Sequence, residues 1–136
     1  MTHTMLQEVL RALSTAFRTR DVEGLLRLFS TTATVTYAGS ESGEKATGPS
    51  DLRCLLTDLL GRPEAYSFEF DDLTFGERDG LVWLMADGTG TETSGDAATQ
   101  TFPYRLTGVL TRERSQWRWL LLAGSEPTPG AAPALA

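Results

Sequence analysis

The chain has 136 residues, 40% of them hydrophobic, and its 12 basic and 18 acidic residues give a net charge of -6 at pH 7. This length suits one hydrophobic core and leaves no room for a second independent one. An acidic protein repels phosphate backbones and anionic lipid surfaces, so we expect neither a nucleic acid nor a membrane partner.

Three amphipathic helices are predicted in the first half of the chain. The first covers about residues 5–17, where apolar residues recur every three or four positions and Thr4 can cap the start. Asp21 is placed to cap a second helix that ends near Ser30. The third begins after Gly48 with an early proline and an acidic first turn, and it stops at Gly61.

Short strands separate these helices. Residues 33–37 are rich in β-branched and aromatic side chains, which predicts a strand. Residues 39–48 form a polar, acidic loop with room for one more short strand. This loop is either a plain connector or a lid over a binding site.

The second half of the chain alternates apolar and polar residues with a period of two, which is typical of β-strands. Asp79-Gly80 is a hairpin signal between two such segments. Further strands are predicted at about residues 99–111 and 116–123. The glycine-rich segment 87–91 precedes no helix, so it indicates a bulge or bend in a strand rather than a phosphate-binding loop.

This order predicts an α+β fold in which three N-terminal helices pack on one face of an antiparallel sheet. Residues 1–127 are expected to form a single domain, and the Pro/Ala-rich residues 128–136 a flexible tail. A strongly curved sheet would form a cone that encloses a concave apolar space. A flat sheet over a solid core is the alternative that the pattern leaves open.

Two sets of segments carry a resemblance to known proteins. Residues 102–112, 117–119 and 124–127 contain an Arg-x-Thr strand, a tryptophan hairpin and a terminal Gly-Ser in that order. Residues 16–25, 28–29 and 33–35 look like the first two helices and the first strand of the same group of proteins. Together they resemble the SnoaL-like branch of the nuclear transport factor 2 superfamily, which implies the cone fold and frequent pairing of two copies through the sheet.

The resemblance does not extend to the catalytic set of the superfamily's ketosteroid isomerases. Their general-base Asp aligns with Tyr37, their oxyanion-hole Tyr with Leu13 and their protonated Asp with Thr107. A His that many SnoaL-like relatives carry before the terminal Gly-Ser is replaced by Ala123. We therefore expect no isomerisation by that route.

Several other chemistries are excluded by residue type. The one histidine, His3, precedes the first helix, so Ser-His-Asp and Cys-His arrangements are not expected, and neither is a zinc site. Cys54 lies between leucines and is predicted to be a small buried residue. We expect no cofactor and no metal.

The remaining candidates for a site lie on the strands. Trp83, Met85 and Asp87 share one strand face, which runs from bulky apolar to ionisable. Arg105 on the neighbouring strand could pair with Asp87, either structurally or at a pocket, although the opposite strand register would reverse these faces. The resemblance places Thr107 inward.

Tyr37 and Leu122 complete the predicted ligand-binding set. Tyr37 could donate a hydrogen bond to a ligand or be tied to a backbone carbonyl. Trp117 and Trp119 share a face of the last strand and are interpreted as packing or dimer surface.

The sequence thus predicts a binding domain for a small apolar ligand, forming a homodimer through its sheet, in the cytoplasm of a bacterium. The first alternative is a hydrolase, dehydratase or cyclase that uses Asp87 as its general base. The second is a structural or partner-binding homodimer without a ligand.

Overall fold

The computed structural model of the protein describes residues 1–95 and 99–130. These residues form three helices and six strands. The helices are α1 (His3–Arg18), α2 (Val22–Leu26) and α3 (Pro49–Leu60). The strands are β1 (Thr36–Ala38), β2 (Lys45–Thr47), β3 (Ala65–Arg78), β4 (Leu81–Thr93), β5 (Thr99–Glu113) and β6 (Gln116–Ser125).

One sheet contains all six strands in the order β2-β1-β6-β5-β4-β3. Strands β3 to β6 form consecutive antiparallel pairs, whereas β1 lies parallel to β6. The predicted α+β class, with three helices ahead of a long-stranded sheet, is confirmed. The sheet is mixed rather than purely antiparallel because of the β1–β6 pair.

The helix boundaries differ from the predicted ones where a competing hydrogen bond exists. α1 begins earlier, because the hydroxyl of Thr2 rather than Thr4 accepts a bond from the Met5 amide at 3.1 Å. Asp21 caps α2 as predicted, accepting from the Gly24 amide at 2.9 Å. α2 ends well before Ser30, because the Ser30 amide donates instead to the Trp119 carbonyl of β6.

Helix α3 buries a stripe of four leucines against the sheet: Leu52, Leu56, Leu59 and Leu60. Cys54 is exposed, so the prediction of a buried cysteine is wrong. Two residues along a helix correspond to about 200° of rotation, which places Cys54 on the face opposite Leu52. Neighbouring leucines in the sequence were a misleading guide to burial here.

The β3–β4 and β5–β6 hairpins turn through residues with positive φ. Asp79 and Gly80 have φ of 53° and 79°, which confirms the predicted turn. Arg114 and Ser115 have φ of 49° and 69° in the second hairpin. Two consecutive left-handed residues match the right-handed twist of the flanking strands, as two-residue hairpin loops require.

The inner face of β4 carries small residues where its neighbours carry rings. Gly90 lies between Phe68 of β3 and Phe102 of β5, and Gly88 lies between Phe70 and Tyr104. A Cβ on Gly90 would lie 2.3 Å from the Phe102 ring. The glycine-rich segment thus makes room for aromatic side chains on both sides.

The same segment faces a bulge, as the sequence predicts. The β3–β4 register shifts between Phe70 and Asp72. A Cβ on Gly88 would lie 1.9 Å from the Glu69 carbonyl oxygen, so the two backbones approach closely there. Only glycine permits that approach.

A second bulge in β6 decides the position of a tryptophan. The β5–β6 register shifts between Val109 and Leu110, which leaves Leu120 as the additional residue. Trp119 and Leu122 therefore both point to the inner face, and Trp119 is completely buried. Trp119 belongs to the core rather than to a dimer surface, and Trp117 packs partly buried against the same core.

The core lies between the helices and the inner face of the sheet, and α1 packs on β3. Within residues 1–95 and 99–130, no helix is long and apolar enough to cross a membrane. Of the predicted flexible tail, residues 131–136 lie outside the described residues, as do residues 96–98 between β4 and β5.

Candidate functional site

A cavity of about 160 Å³ lies between α1, α3 and the inner face of the sheet. The helices contribute Leu13, Phe17, Leu59 and Leu60, and the strands contribute residues from β1, β3, β4, β5 and β6. The loop between β1 and β2 borders the mouth. The cavity is therefore built from every layer of the fold rather than from one surface element.

Four packed aromatic rings form one wall of this cavity. The centroid of the Phe68 ring lies 4.6 Å from that of Tyr104 and 5.6 Å from that of Phe17, the second pair meeting edge to face. The Phe102 and Tyr104 centroids are 6.0 Å apart. Such a wall is suited to stacking and apolar contact with a flat ligand.

Two tyrosine hydroxyls point into this apolar space without a partner. Tyr37 is 4% exposed and Tyr104 is 8% exposed, yet neither hydroxyl makes a hydrogen bond within residues 1–95 and 99–130. In that part of the chain the one fully buried side-chain nitrogen or oxygen lacking a partner is Nε1 of Trp119. The two hydroxyls are therefore open to the cavity that they line.

Both hydroxyls are held in the protonated form. Burial raises the pKa of Tyr37 far above its ordinary value, and the nearby Tyr104 and Glu44 act in the same direction. Burial also raises the pKa of Tyr104, with Glu44 and Glu126 adding to the effect. Each phenol can donate one hydrogen bond to a ligand and accept another.

Gly124 on β6 positions the Tyr104 hydroxyl. A Cβ at that position would lie 1.8 Å from the phenolic oxygen. The terminal Gly-Ser of the sequence therefore has a steric role: the glycine leaves space for a tyrosine on the adjacent strand.

The mouth of the cavity is acidic. Seven charged residues line it, five glutamates and two arginines: Glu41, Glu44, Glu64, Glu92, Glu126, Arg20 and Arg62. Among the described residues, Glu64, Glu92 and Glu126 form no ion pair. Burial raises the pKa of the Tyr66 hydroxyl, and the negative charges of Glu92 and Glu64 raise it further.

The two arginines are already engaged. Arg20 donates to the carbonyls of Leu60, Arg62 and Pro63, at the C-terminal end of α3. Nη2 of Arg62 lies 3.2 Å from Oδ2 of Asp58, and Nη1 of Arg62 lies 3.9 Å from Oε2 of Glu44. A ligand entering the mouth therefore meets an excess of negative charge.

The acidic loop between β1 and β2 is held by its own hydrogen bonds. The Gly39 amide donates to the Glu44 carbonyl at 2.7 Å, and the Glu41 amide donates to Oε1 of Glu44 at 3.0 Å. Arg62 approaches both glutamates from the segment after α3. The loop therefore borders the cavity in a fixed position, and its role as a lid or as a plain connector stays a prediction.

Two of the seven predicted site residues line the cavity. Tyr37 and Leu122 are both buried and face it, from β1 and β6. Because these strands are paired with Tyr37 opposite Leu122, the two side chains lie beside each other. Their contact with a ligand remains a prediction.

The other five predicted site residues lie on the outer face of the sheet, away from the cavity: Trp83, Met85, Asp87, Arg105 and Thr107. The predicted strand face was wrong, because the buried side of β4 carries Val82, Leu84 and Ala86. Since side chains alternate, an error of one residue moves the whole set to the other face. Thr107, expected inward from the resemblance, pairs with Met85 on the outside.

Asp87 and Arg105 do form the predicted ion pair, at 2.7 Å between Oδ1 and Nε. The side chains are 32% and 44% exposed, so solvent screens the interaction. The pair joins two adjacent strands on the outer surface. Asp87 consequently has no access to the cavity, and its predicted role as general base there is wrong.

The sequence interpretation missed the aromatic wall and the acidic mouth. Phe68 and Tyr104 belong to strands in which apolar and polar residues alternate, and the sequence pattern does not indicate which face of those strands is buried. The best available signal was Gly88 and Gly90, since glycines between aromatic strands mark the face on which the rings lie. The glutamates come from four separate segments, so no local pattern joins them.

A wider groove runs between α1 and β3, lined mainly by polar side chains including Arg11, Arg18, Glu69 and Asp71. The Ser14 hydroxyl in this groove already accepts a bond from the Phe68 amide at 2.8 Å. Across residues 1–95 and 99–130, no three His, Cys, Asp or Glu side chains are grouped so that they could hold a metal ion.

Comparisons with known proteins agree on the architecture. Residues 6–129 match a family described as SnoaL-like domain. No curated protein matches the chain.

Three solved structures illustrate the likeness in fold. A candidate dehydratase of the nuclear transport factor 2-like family from Streptomyces avermitilis is 11% identical, with 93% of this chain and 96% of that chain covered and a TM-score of 0.81. A nuclear transport factor 2-like superfamily protein from Salmonella enterica is 14% identical, with 97% and 96% covered and a TM-score of 0.78. Aln2 from a Streptomyces species is 19% identical, with 91% and 89% covered and a TM-score of 0.75.

Proposed function

Because the chain belongs to the SnoaL-like domain family, whose fold alone does not specify an activity, we propose a function from its cavity: the protein binds a small, largely apolar molecule between the helices and the inner face of the sheet. The cavity of about 160 Å³ suits a ligand of about one aromatic ring, since an apolar cavity of about 150 Å³ holds benzene.

The observation that carries this proposal is the pair of unpartnered hydroxyls on Tyr37 and Tyr104. Neither oxygen is among the fully buried ones, so each hydroxyl reaches the cavity space and can donate a hydrogen bond to a molecule there. Phenylalanine would fill the same space without offering that hydrogen bond. Two phenols in an otherwise aromatic and aliphatic wall are the kind of polar groups that orient a small ligand.

The proposal is tested with 2-phenylethanol, which has one ring and one hydroxyl. Its binding to the labelled full chain is measured by NMR titration. Leu122 lines the cavity from β6, so Leu122→Phe adds a ring at the position that the ligand would occupy. We expect Leu122→Phe to abolish binding. Leu121→Phe, which makes the same change at the next residue on the outer face, is the matched control and should bind normally.

Equal binding by Leu122→Phe and the unmodified chain would place the ligand elsewhere and contradict the proposal. Loss of binding in both phenylalanine variants would indicate general damage to β6, and a cavity variant on α3, Leu59→Phe, then decides. Retained binding by Leu59→Phe would also contradict the proposal, and its loss would support it.

Catalysis through Asp87 is not part of this proposal, because that carboxylate lies on the opposite face of the sheet. The Streptomyces avermitilis neighbour is named as a candidate dehydratase, but 11% identity supports the shared fold alone. Binding is the function that the cavity residues support directly.

A second proposal concerns self-association through the outer face of the sheet. Four of the five large hydrophobic side chains that are most exposed in the described residues lie there: Leu81, Trp83, Met85 and Leu121. The charges of Asp87 and Arg105 on this face neutralise each other. We therefore propose that the occupant of the face is a second copy of the chain, related by a two-fold axis.

Met85 and Met5 provide a matched pair of variants, since they are 41% and 39% exposed. Met85→Lys should convert a dimer into a monomer in sedimentation equilibrium, because a like charge would be buried on both sides of the axis. Met5→Lys on α1 should leave the dimer intact. A monomeric unmodified chain, or a dimer that survives Met85→Lys, would contradict the proposal.

A further inference from the structure

The charge of the cavity mouth points to a more specific class of ligand. The aromatic wall is neutral, but the five glutamates at the mouth outnumber its two arginines. Both arginines are bound to carbonyls or carboxylates of the chain itself. An anionic ligand would have to displace these partners, whereas a cationic one would meet carboxylates that form no ion pair in the described residues.

The unpaired carboxylates lie next to aromatic rings. Tyr66 and Glu92 are direct cross-strand partners on the inner face, and Glu64 also acts on the Tyr66 hydroxyl. Glu126 acts on Tyr104 from the other side of the mouth. An ammonium group near such rings is attracted both by the negative charge of the carboxylates and by the face of the aromatic ring.

An acidic cluster alone would not define a site, but the Tyr37 hydroxyl is independent evidence for a ligand here. Tyr37 is only 4% exposed, it lines the same cavity, and its hydroxyl has no partner in the described part of the chain. Glu44 of the mouth acts electrostatically on both the Tyr37 and the Tyr104 hydroxyl. An ammonium group placed there would donate to a phenol oxygen and to a carboxylate, while its ring contacts the aromatic wall.

We infer that the ligand is an organic amine, protonated at neutral pH, with its ring among Phe68, Phe102 and Tyr104 and its ammonium group at the glutamates of the mouth. A bare metal ion fits less well, because no three carboxylates converge in the described residues. A diffuse organic cation suits carboxylates spread around an aromatic opening. This inference rests on the proposed function of the cavity.

Three probes of similar size and different charge test the inference: 2-phenylethylamine, 2-phenylethanol and 3-phenylpropanoate. Dissociation constants are measured by NMR titration of the full chain. We expect the amine to bind about tenfold more tightly than the alcohol, and the carboxylate to bind most weakly, from the Coulomb energy of one unit charge near the mouth. Raising the salt concentration from about 0.01 M to about 0.1 M should weaken amine binding alone, since the Debye length falls from about 30 Å to about 10 Å.

Variants of the mouth separate charge from shape. Glu92→Gln should weaken amine binding about threefold and leave alcohol binding unchanged, because one partly screened charge is lost at constant side-chain size. Glu126→Gln, at the exposed residue that follows β6, repeats the test where folding is not at risk. Glu8→Gln, on the exposed side of α1, is the matched control and should change neither.

The outcomes distinguish the inference from the function on which it rests. If the alcohol or the carboxylate binds in the cavity as tightly as the amine, the ligand class is wrong and the binding function stands. If none of the three probes shifts the resonances of cavity residues, the binding function itself is contradicted. Unchanged amine affinity in both glutamate variants would also overturn the inference.

Discussion

In the first part of strand β4, residues 81–86, the even-numbered and the odd-numbered residues are both apolar, yet only the even-numbered ones are buried. Val82, Leu84 and Ala86 are buried beneath the helices, while Trp83 and Met85 are 51% and 41% exposed on the outside. The larger side chains of the strand are the exposed ones. Hydrophobicity therefore did not decide which face is inner.

The inner face is the one on which the side chains of β4 fit between those of the adjacent strands β3 and β5. Strands β3 and β5 place Phe68, Phe70, Phe102 and Tyr104 on the inner side, and β4 between them provides glycines at positions 88 and 90. Rings on the outer strands of this triplet and small residues on its middle strand form complementary layers. The cavity lies between these layers and the helices, so the same rings that pack across β4 also form its wall.

The largest expected difference between the faces is in stability. Trp119 is completely buried on the inner face, so Trp119→Ala should lower the free energy of unfolding by about 3–5 kcal/mol. Trp83→Ala on the outer face should cost under about 1 kcal/mol in the monomer. Urea unfolding, at a protein concentration at which both variants are monomers, measures the two losses of unfolding free energy. Similar losses in the two variants would contradict the distinction between the faces.

Substitution of the middle strand tests the layers. Gly90→Val should cost about 1–3 kcal/mol, because the added side chain collides with the Phe102 ring. Thr89→Val, on the exposed outer face of the same strand, should change stability by less than about 0.5 kcal/mol. A neutral Gly90→Val would indicate that the rings do not pack across β4 as described.

Alkaline pH should act on the inner face through its tyrosines. Burial raises the pKa of Tyr37 and Tyr104, so the unfolded chain releases these protons near pH 10 and the folded chain retains them. Stability is fully present below about pH 10 and falls above it, by up to about 1.4 kcal/mol per pH unit for each tyrosine.

The double variant Tyr37→Phe/Tyr104→Phe provides the control for this pH effect. Its stability should depend less steeply on pH than that of the unmodified chain between about pH 10 and 11 in urea unfolding. An equally steep decline in both proteins would assign the effect to other groups.

The smallest expected effect concerns the same hydroxyls at neutral pH. Because neither hydroxyl has a protein partner in the described residues, Tyr104→Phe should leave stability unchanged or raise it by up to about 1 kcal/mol. Binding of 2-phenylethanol should weaken at the same time. A clear loss of stability in Tyr104→Phe would reveal a partner for the hydroxyl and weaken the case for a ligand.

The elements of the fold could be predicted because their signals are local. Apolar spacing identified the three helices, and Asp79-Gly80 identified a hairpin. The parallel pairing of β1 with β6 could not be predicted from local pattern, because it joins segments about 85 residues apart in sequence. Cys54 shows that rotation around the helix, not neighbouring leucines, sets burial.

The site was harder to predict because it depends on strand faces. Tyr37 and Leu122 line the cavity, and their contact with a ligand stays a prediction, whereas the stripe from Trp83 to Asp87 lies on the outer face. The bulge at Leu120 put Trp119 and Leu122 on one face, although alternation predicts opposite faces for positions three apart. The glycine that accompanies this bulge, Gly108, lies on the neighbouring strand β5, where a Cβ would be 2.4 Å from the Leu121 carbonyl oxygen, so the local sequence around Leu120 does not mark it.

The most direct test of the proposed site is a crystal structure of the protein grown with 2-phenylethylamine. We expect the phenyl ring beside Phe68 and Tyr104 in the inner-face cavity, with the ammonium group at the glutamates of the mouth. Amine bound instead at the outer face around Trp83, or an inner cavity without ligand at saturating amine, would contradict the proposed site.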